Sequence, residues 1–291
     1  MSNLTGLIVK AISGFYYVEA ADVLYECKAR NFRKSGISPA VGDRVDISTA
    51  DDKTGTVEKI YERKSFLTRP PVANLDRLFI VSSVSEPTPV PLIIDKLTAI
   101  AVGLSIEPVI VFTKSDLGDI DELASVYKSA GFKTIIHTRE DDRGNSELLS
   151  LIPGKISAFI GNTGVGKSTL LNSLFPELSL KTGEISRKLG RGRHTTRHSE
   201  LYKYAGGYIA DTPGFSTIDL VRYGLDKKEN AELCFPEFSD YITDCRFTGC
   251  AHLCEKGCAV LQAVNDGKIA QSRHNSYVAV YNEIKENTER R

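Results

Sequence analysis

At 291 residues the chain has room for about two domains, or three small ones. Its 37 Lys and Arg balance 37 Asp and Glu, so global charge gives no support for a nucleic-acid binder and any such surface has to be local. The stretch from Met1 to Lys10 lacks the basic start and apolar core of a signal peptide, and the longest apolar run, 97–106, is too short to span a bilayer. A cytoplasmic, membrane-free protein is expected, and there six cysteines argue against a disulfide framework.

Residues 1–68 carry short alternating stretches at 6–9, 15–18, 23–27, 44–47 and 55–60, separated by turn residues. This pattern predicts a small β-barrel of the OB type; a small sandwich or SH3-like barrel fits it equally well. Arg69-Pro70-Pro71 breaks the pattern and reads as a linker. From Leu75 the texture changes. Residues 76–82 and 108–113 read as buried parallel strands, 92–102 and 123–130 as helices, and 133–136, 156–160 and 207–210 as further strands. Strand–helix alternation predicts a doubly wound α/β sheet. After Leu220 the strands stop; the rest is polar, cysteine-rich and mostly helical, with a late amphipathic helix over 277–284 and a charged end, 286–291, expected to fray. The expected organisation is a multidomain α/β chain divided at 1–68, 69–222 and 223–291.

Gly161-Asn162-Thr163-Gly164-Val165-Gly166-Lys167-Ser168 fits the G-x-x-x-x-G-K-[S/T] phosphate loop, between an apolar strand and a helix-like segment that starts at Ser168-Thr169. Glycines let such a loop wrap a phosphate closely, and the helix N-terminus adds favourable potential. Lys167 is expected to reach the β- and γ-phosphates, and the Ser168 hydroxyl to ligate Mg²⁺. Asp211-Thr212-Pro213-Gly214 follows the strand 207–210; Asp211 is suited to holding Mg²⁺ and the Gly214 N–H to sensing the γ-phosphate. Thr113-Lys114-Ser115-Asp116 ends another strand. The Asp116 carboxylate can accept from guanine N1–H and its exocyclic amine, donors that adenine lacks in that geometry, so GTP is the expected nucleotide. Lys114 would lie along the base.

The order of these motifs is unusual: the base-reading motif precedes the phosphate loop by 51 residues, counted from Asp116 to Lys167. The chain therefore reads as a GTPase domain cut and rejoined elsewhere. Between loop and Asp211 lies Gly190-Arg191-Gly192-Arg193-His194-Thr195-Thr196-Arg197-His198. A threonine in a mobile segment here is expected to close over Mg²⁺ and the γ-phosphate, Thr196 first and Thr195 second. From Lys181 to Lys203 seven Lys and Arg face two acids, Glu184 and Glu200, a local charge that suits RNA phosphates. Phe215 stands where Ras-type enzymes carry a water-orienting glutamine, so intrinsic hydrolysis should be slow, with His194 and His198 as candidate catalytic groups.

Four cysteines and a histidine fall within Cys245 to Cys258. Zinc takes four N or S ligands in a tetrahedron. One set is Cys245, Cys250, His252 and Cys258; a rival set replaces His252 by Cys254. With no position left open for substrate, the site should be structural.

Taken together, the permuted motifs, the OB-like start and the C-x₄-C-x-H-x₅-C segment resemble the circularly permuted GTPases of bacterial small-subunit maturation, the ribosome small subunit-dependent GTPase A family. The resemblance covers essentially the whole chain. It implies an S1-type OB barrel, a permuted GTPase domain and a zinc domain, with GTP hydrolysis stimulated by the 30S subunit late in its assembly. It places the zinc ligands on Cys245, Cys250, His252 and Cys258 and leaves Cys254 as a spare thiol. A second guanine-contacting motif should lie near His137-Thr138-Arg139. Thr113 replaces the commoner asparagine, a change expected to loosen the tie between base site and phosphate loop. The resulting reading is a GTPase, a monomer by default, that works on the 30S subunit and its 16S rRNA with Zn²⁺ and Mg²⁺–GTP or GDP. The alternative is a GTP-dependent RNA-binding translation switch with incidental hydrolysis.

Overall fold

The structure is a computed structural model, and it describes residues 2–29, 37–49, 53–68, 70–138, 144–176, 199–210 and 218–289. The chain packs into two compact units: Met1–Arg77 with Leu149–Ala158 and Glu177–Gly214, and Leu78–Leu148 with Phe159–Pro176 and Phe215–Arg291.

The first unit is built on β1 (Ser2–Ile12), β2 (Phe15–Ala20), β3 (Val23–Ala29), β4 (Arg44–Thr49) and β5 (Thr54–Ile60). The β1–β2 and β2–β3 hairpins turn on Ser13-Gly14 and Ala21-Asp22, whose φ values are all positive, as tight hairpin turns require. Then β3 pairs with β5 in parallel, β5 with β4 antiparallel, and β4 with β1 antiparallel, which closes the ring. This closure is that of an OB-type barrel and removes the sandwich alternative. Ile8, Val18, Cys27, Val45, Ile47 and Val57 fill the interior with no exposure. Gly6 permits the tight packing of β1: a Cβ there would lie 2.6 Å from the Glu19 carbonyl oxygen.

Of the expected linker Arg69-Pro70-Pro71, Arg69 lies outside the described residues. Pro71 is not in an open linker: it starts β7 (Pro71–Ala73), which pairs antiparallel with β6 (Phe66–Thr68), Thr68 opposite Pro71. Alternation was too short to register there, but Leu67 and Val72 are fully buried and the Ala73 N–H donates to the Val41 carbonyl.

The second unit carries β8 (Arg77–Ser83) from Leu78 on, α1 (Pro91–Gly103), β9 (Glu107–Thr113), α2 (Asp121–Ser129), β10 (Lys133–Ile136), the start of α3 (Asn145–Ser150), the end of β11 (Ile156–Ile160) and α4 (Lys167–Leu174). The strands run in the order β10–β9–β8–β11, with β9 and β10 parallel. Leu78 to Val81 and Val109 to Phe112 are buried, as continuous apolar strands covered on both faces must be. Phe79 stacks on Phe159 with ring centroids 4.4 Å apart. In the first unit β13 (Gly207–Ala210) continues the start of β11 in parallel, pairing Ala158 with Ala210, and β12 (Ser199–Tyr204) runs antiparallel beside it.

Beyond Leu220 the described chain has only short 3-10 turns and helices, ending in the helix Gln271–Glu289. This helix is longer than the expected 277–284, and it does not fray at 286: the Thr288 hydroxyl donates to the Asp226 carbonyl at 2.9 Å. Its anchor is Arg273, 1% exposed. Arg273 Nη1 donates to Asp95 Oδ1 of α1 at 2.7 Å, and Nε donates to Glu237 Oε1 at 2.6 Å. The rings of Phe235 and Phe132 lie 4.7 and 5.1 Å from its guanidinium carbon. No helix among the described residues is long and apolar enough to cross a membrane.

Candidate nucleotide site and metal centre

The carboxyl ends of β9 and β11 lie on one edge of the second unit's sheet, where open α/β sheets bind ligands. β11 runs into the loop Gly161–Gly166. A Cβ on Gly161 would lie 2.4 Å from the Val81 carbonyl oxygen, so only glycine fits against β8 there. Gly164 and Gly166 have φ of +87° and +83°, the left-handed conformation that turns the backbone back toward α4. Val165 is buried and pins the loop, while Asn162, Thr163, Gly164, Ser168 and Thr169 stay exposed and Lys167 is half-buried at the start of α4.

β9 delivers Thr113 to the same edge. The buried Thr113 hydroxyl lies 2.5 Å from the Val165 carbonyl oxygen and 3.2 Å from that of Ser82. Threonine in place of asparagine therefore still ties base motif to phosphate loop: β8 lies between β9 and β11, and it is the loop that brings the Val165 carbonyl to the Thr113 hydroxyl. Lys114, left-handed at φ 59°, donates through Nζ to the Glu86 carbonyl at 2.5 Å. Ser115 Oγ donates to the His137 carbonyl at 3.3 Å, and Asp116 is exposed on the following 3-10 turn. His137 follows β10, buried, with its ring Nε2 3.0 Å from Asn145 Oδ1 of α3, and Thr138 is buried beside it. The structure thus brings Thr113, Lys114, Ser115 and Asp116 together with Gly161 through Thr169. His194, Thr195, Thr196, His198, Asp211, Gly214, Phe215 and Arg139 lie outside the described residues. Glu86 gave no sequence signal, because it contributes only a backbone carbonyl.

In the C-terminal part of the same unit, one ligand atom each from Cys245, Cys250, His252 and Cys258 lie within 4.8 Å of one another. Tetrahedral bonds of the lengths zinc prefers place two sulfurs about 3.8 Å apart and a sulfur and a nitrogen about 3.6 Å apart. Here Cys245 Sγ lies 3.9 Å from Cys258 Sγ and 3.6 Å from His252 Nδ1, and His252 Nδ1 lies 3.3 Å from Cys258 Sγ. These three distances make one face of a metal-sized tetrahedron, and Cys250 Sγ, within 4.8 Å of all three atoms, can take its fourth corner, so the four residues fit such an ion. Cys254 is exposed and outside the group, which disposes of the rival set. Burial, with the Cys258 and Cys245 sulfurs adding to it, pushes the Cys250 thiol up to about 12, and burial followed by the Cys245 sulfur raises that of Cys258. A cation would reverse that preference by stabilising thiolates.

A family model described as "RsgA GTPase" matches residues 60–221, and another, "RsgA N-terminal domain", matches residues 5–57. The chain belongs to the RsgA GTPase family. A Streptococcus pneumoniae protein named small ribosomal subunit biogenesis GTPase RsgA is 42% identical, over 98% of this chain and 96% of the relative. A Geobacillus protein of the same name is also 42% identical, over 97% of each chain. Among solved structures, that of YloQ, described as a circularly permuted GTPase, matches with a TM-score of 0.83 at 34% identity, over 98% of this chain and 96% of that one. YjeQ from Thermotoga maritima matches with a TM-score of 0.82 at 33% identity, over 97% of this chain and 99% of that one.

Proposed function

We propose that this chain is a GTPase that binds the small (30S) ribosomal subunit and acts in its late maturation, hydrolysing GTP to GDP and phosphate with stimulation by the subunit. The observation that carries this is the junction of a guanine-reading strand end and a phosphate loop at one sheet edge, through the Thr113 hydroxyl, in a chain whose relatives bear that name. Asp116 reads guanine and Lys114 lines the base. Gly161, Asn162, Thr163, Gly164, Val165, Gly166, Lys167, Ser168 and Thr169 hold the phosphates, with Lys167 as the charge that acts in catalysis. Mg²⁺ would be held by Ser168, Thr196 and Asp211 and would neutralise charge on the phosphates, while Gly214 senses the γ-phosphate. His194 and His198 are the candidates to order the attacking water, since Phe215 cannot.

Three parts serve this activity: a barrel at 1–68, the permuted GTPase at 69–222 and a zinc-binding segment at 223–291, in a cytoplasmic monomer. The barrel bears the interleaving of basic and aromatic side chains that suits 16S rRNA: Lys28 over Phe15, Arg44 and Lys59 over Tyr61, and Arg63 over Phe66. Zinc on Cys245, Cys250, His252 and Cys258 would supply folding energy rather than chemistry. Phosphate release measured over many turnovers, with and without purified 30S subunits, tests the reading. Stimulation by the subunit is expected. A rate indifferent to the subunit favours a GTP-dependent RNA-binding switch, and normal turnover by Lys167→Ala overturns the phosphate-loop assignment.

A further inference from the structure

His252 faces the metal cluster with Nδ1 and turns Nε2 to Glu232 Oε2 at 2.8 Å. A ring nitrogen ligates a metal only when it carries no proton, so the neutral ring must hold its proton on Nε2, where a carboxylate can accept it. Glu232 lies 20 residues before His252, on the 3-10 turn Lys228–Cys234. That turn is packed against α1: a Cβ on Gly103, the last residue of α1, would lie 3.4 Å from Cys234 Sγ.

The backbone around His252 is held just as firmly. His252 has a φ of +55°, a left-handed conformation unusual for a side chain of its size. The Glu255 carboxylate accepts from the N–H groups of Ala251, Leu253 and Cys254 at 3.0, 2.8 and 3.0 Å. The Tyr277 hydroxyl donates to the Ala251 carbonyl at 2.8 Å, and His274 Nε2 lies 2.7 Å from the His252 carbonyl. The loop fixes where the imidazole sits; Glu232 is the only one of these partners that touches the ring's outer nitrogen.

We propose that Glu232 is a positioning residue of the metal centre: it selects the Nδ1-ligating tautomer of His252, orients the ring toward the three sulfurs, and sets metal affinity from a turn that rests on α1 of the GTPase core. This rests on reading the four residues as a zinc site. Its test is the affinity of full-length protein for Zn²⁺ by chelator competition, together with the visible spectrum of the Co²⁺-substituted form. Glu232→Ala is expected to weaken Zn²⁺ binding roughly 10- to 100-fold, as loss of an outer partner does elsewhere, and to shift the Co²⁺ bands. Glu232→Gln, which keeps an acceptor and drops the charge, should lose less. Retained GDP binding would show that either variant is folded. Glu232→Ala with wild-type affinity and spectrum overturns the proposal. If that variant does not accumulate, ¹⁵N NMR of zinc-loaded wild type decides: a slowly exchanging proton on His252 Nε2 is expected, and the opposite tautomer overturns it. Wild-type protein that takes up no zinc, or Cys250→Ser that binds like wild type, defeats the zinc reading instead.

Discussion

Replacing Arg273 by methionine should unfold the second unit far more readily than removal of one side chain suggests. Methionine fills much of the same volume between Phe235 and Phe132 but removes the positive charge. Asp95, with no exposure, and Glu237, whose side chain is 6% exposed, are then left facing each other without a counter-ion. Arg273 makes three bonds to them, at 2.7, 2.6 and 3.1 Å. Burial alone would lower the Arg273 pKa, but the hydrogen bonds to Glu237 and the charge of Asp95 raise it, so the guanidinium stays charged at every working pH. Breaking a buried pair by removing one partner costs about 3–5 kcal/mol, because the other charge is stranded. At about 2–4 °C per kcal/mol for a unit of this size, the midpoint should fall roughly 6–20 °C. The assay is thermal unfolding of nucleotide-free protein followed by circular dichroism, repeated with Arg273→Met/Asp95→Asn/Glu237→Gln. The triple variant, with no stranded charge, should regain at least half of the loss. A single-variant loss below about 1 kcal/mol, or a triple variant no better than the single, refutes the argument.

Thr113→Val keeps the shape of β9's end and deletes its hydroxyl, leaving the Val165 and Ser82 carbonyls without that donor. GDP and GTP should both bind roughly tenfold more weakly, in line with about 1–3 kcal/mol for an unmet buried group, and Thr113→Ser should restore binding; stopped-flow release of a fluorescent GDP reads both, and equal rates for Val and wild type would contradict the tie. Zinc affinity should rise with pH between about 6 and 8, tenfold per unit for each proton released, because burial keeps the metal-free Cys250 and Cys258 thiols protonated; a flat profile would mean that they are already thiolates. In the barrel, burial and then the nearby Glu26 charge push Cys27 up to about 11. The unfolded thiol ionises first, so this stability is complete below the ordinary thiol pKa and declines as pH rises toward 11. Cys27→Ala should therefore lose less stability than wild type between pH 8 and 10, and identical slopes would discount the burial of Cys27. Thiol labelling of zinc-loaded native protein should find Cys254 fast and Cys27 and Cys234 slow, since Cys254 is exposed and the other two are buried.

What is written in contiguous residues could be read directly. The phosphate loop, the strand before it and the helix after it are neighbours along the chain, so G-x-x-x-x-G-K-S implies its own surroundings. The same holds for Thr113 to Asp116, for the cysteine spacing, and for the permuted order that marked the family. The choice of barrel was not legible, because alternation looks alike in a sandwich; the β3–β5 parallel pair and the β1–β4 closure decided it. The choice between His252 and Cys254 could not be made from spacing either, since both sit between the same cysteines, and only the backbone turn at His252 buries one and leaves the other outside. Tertiary structure alone joined Thr113 to Val165, Glu232 to His252 and Arg273 to Asp95, partners 52, 20 and 178 residues apart. Local pattern follows from short-range backbone sterics and periodic burial, whereas buried polar groups are satisfied by whichever partner packing brings within about 3 Å, and no periodicity along the chain records that partner.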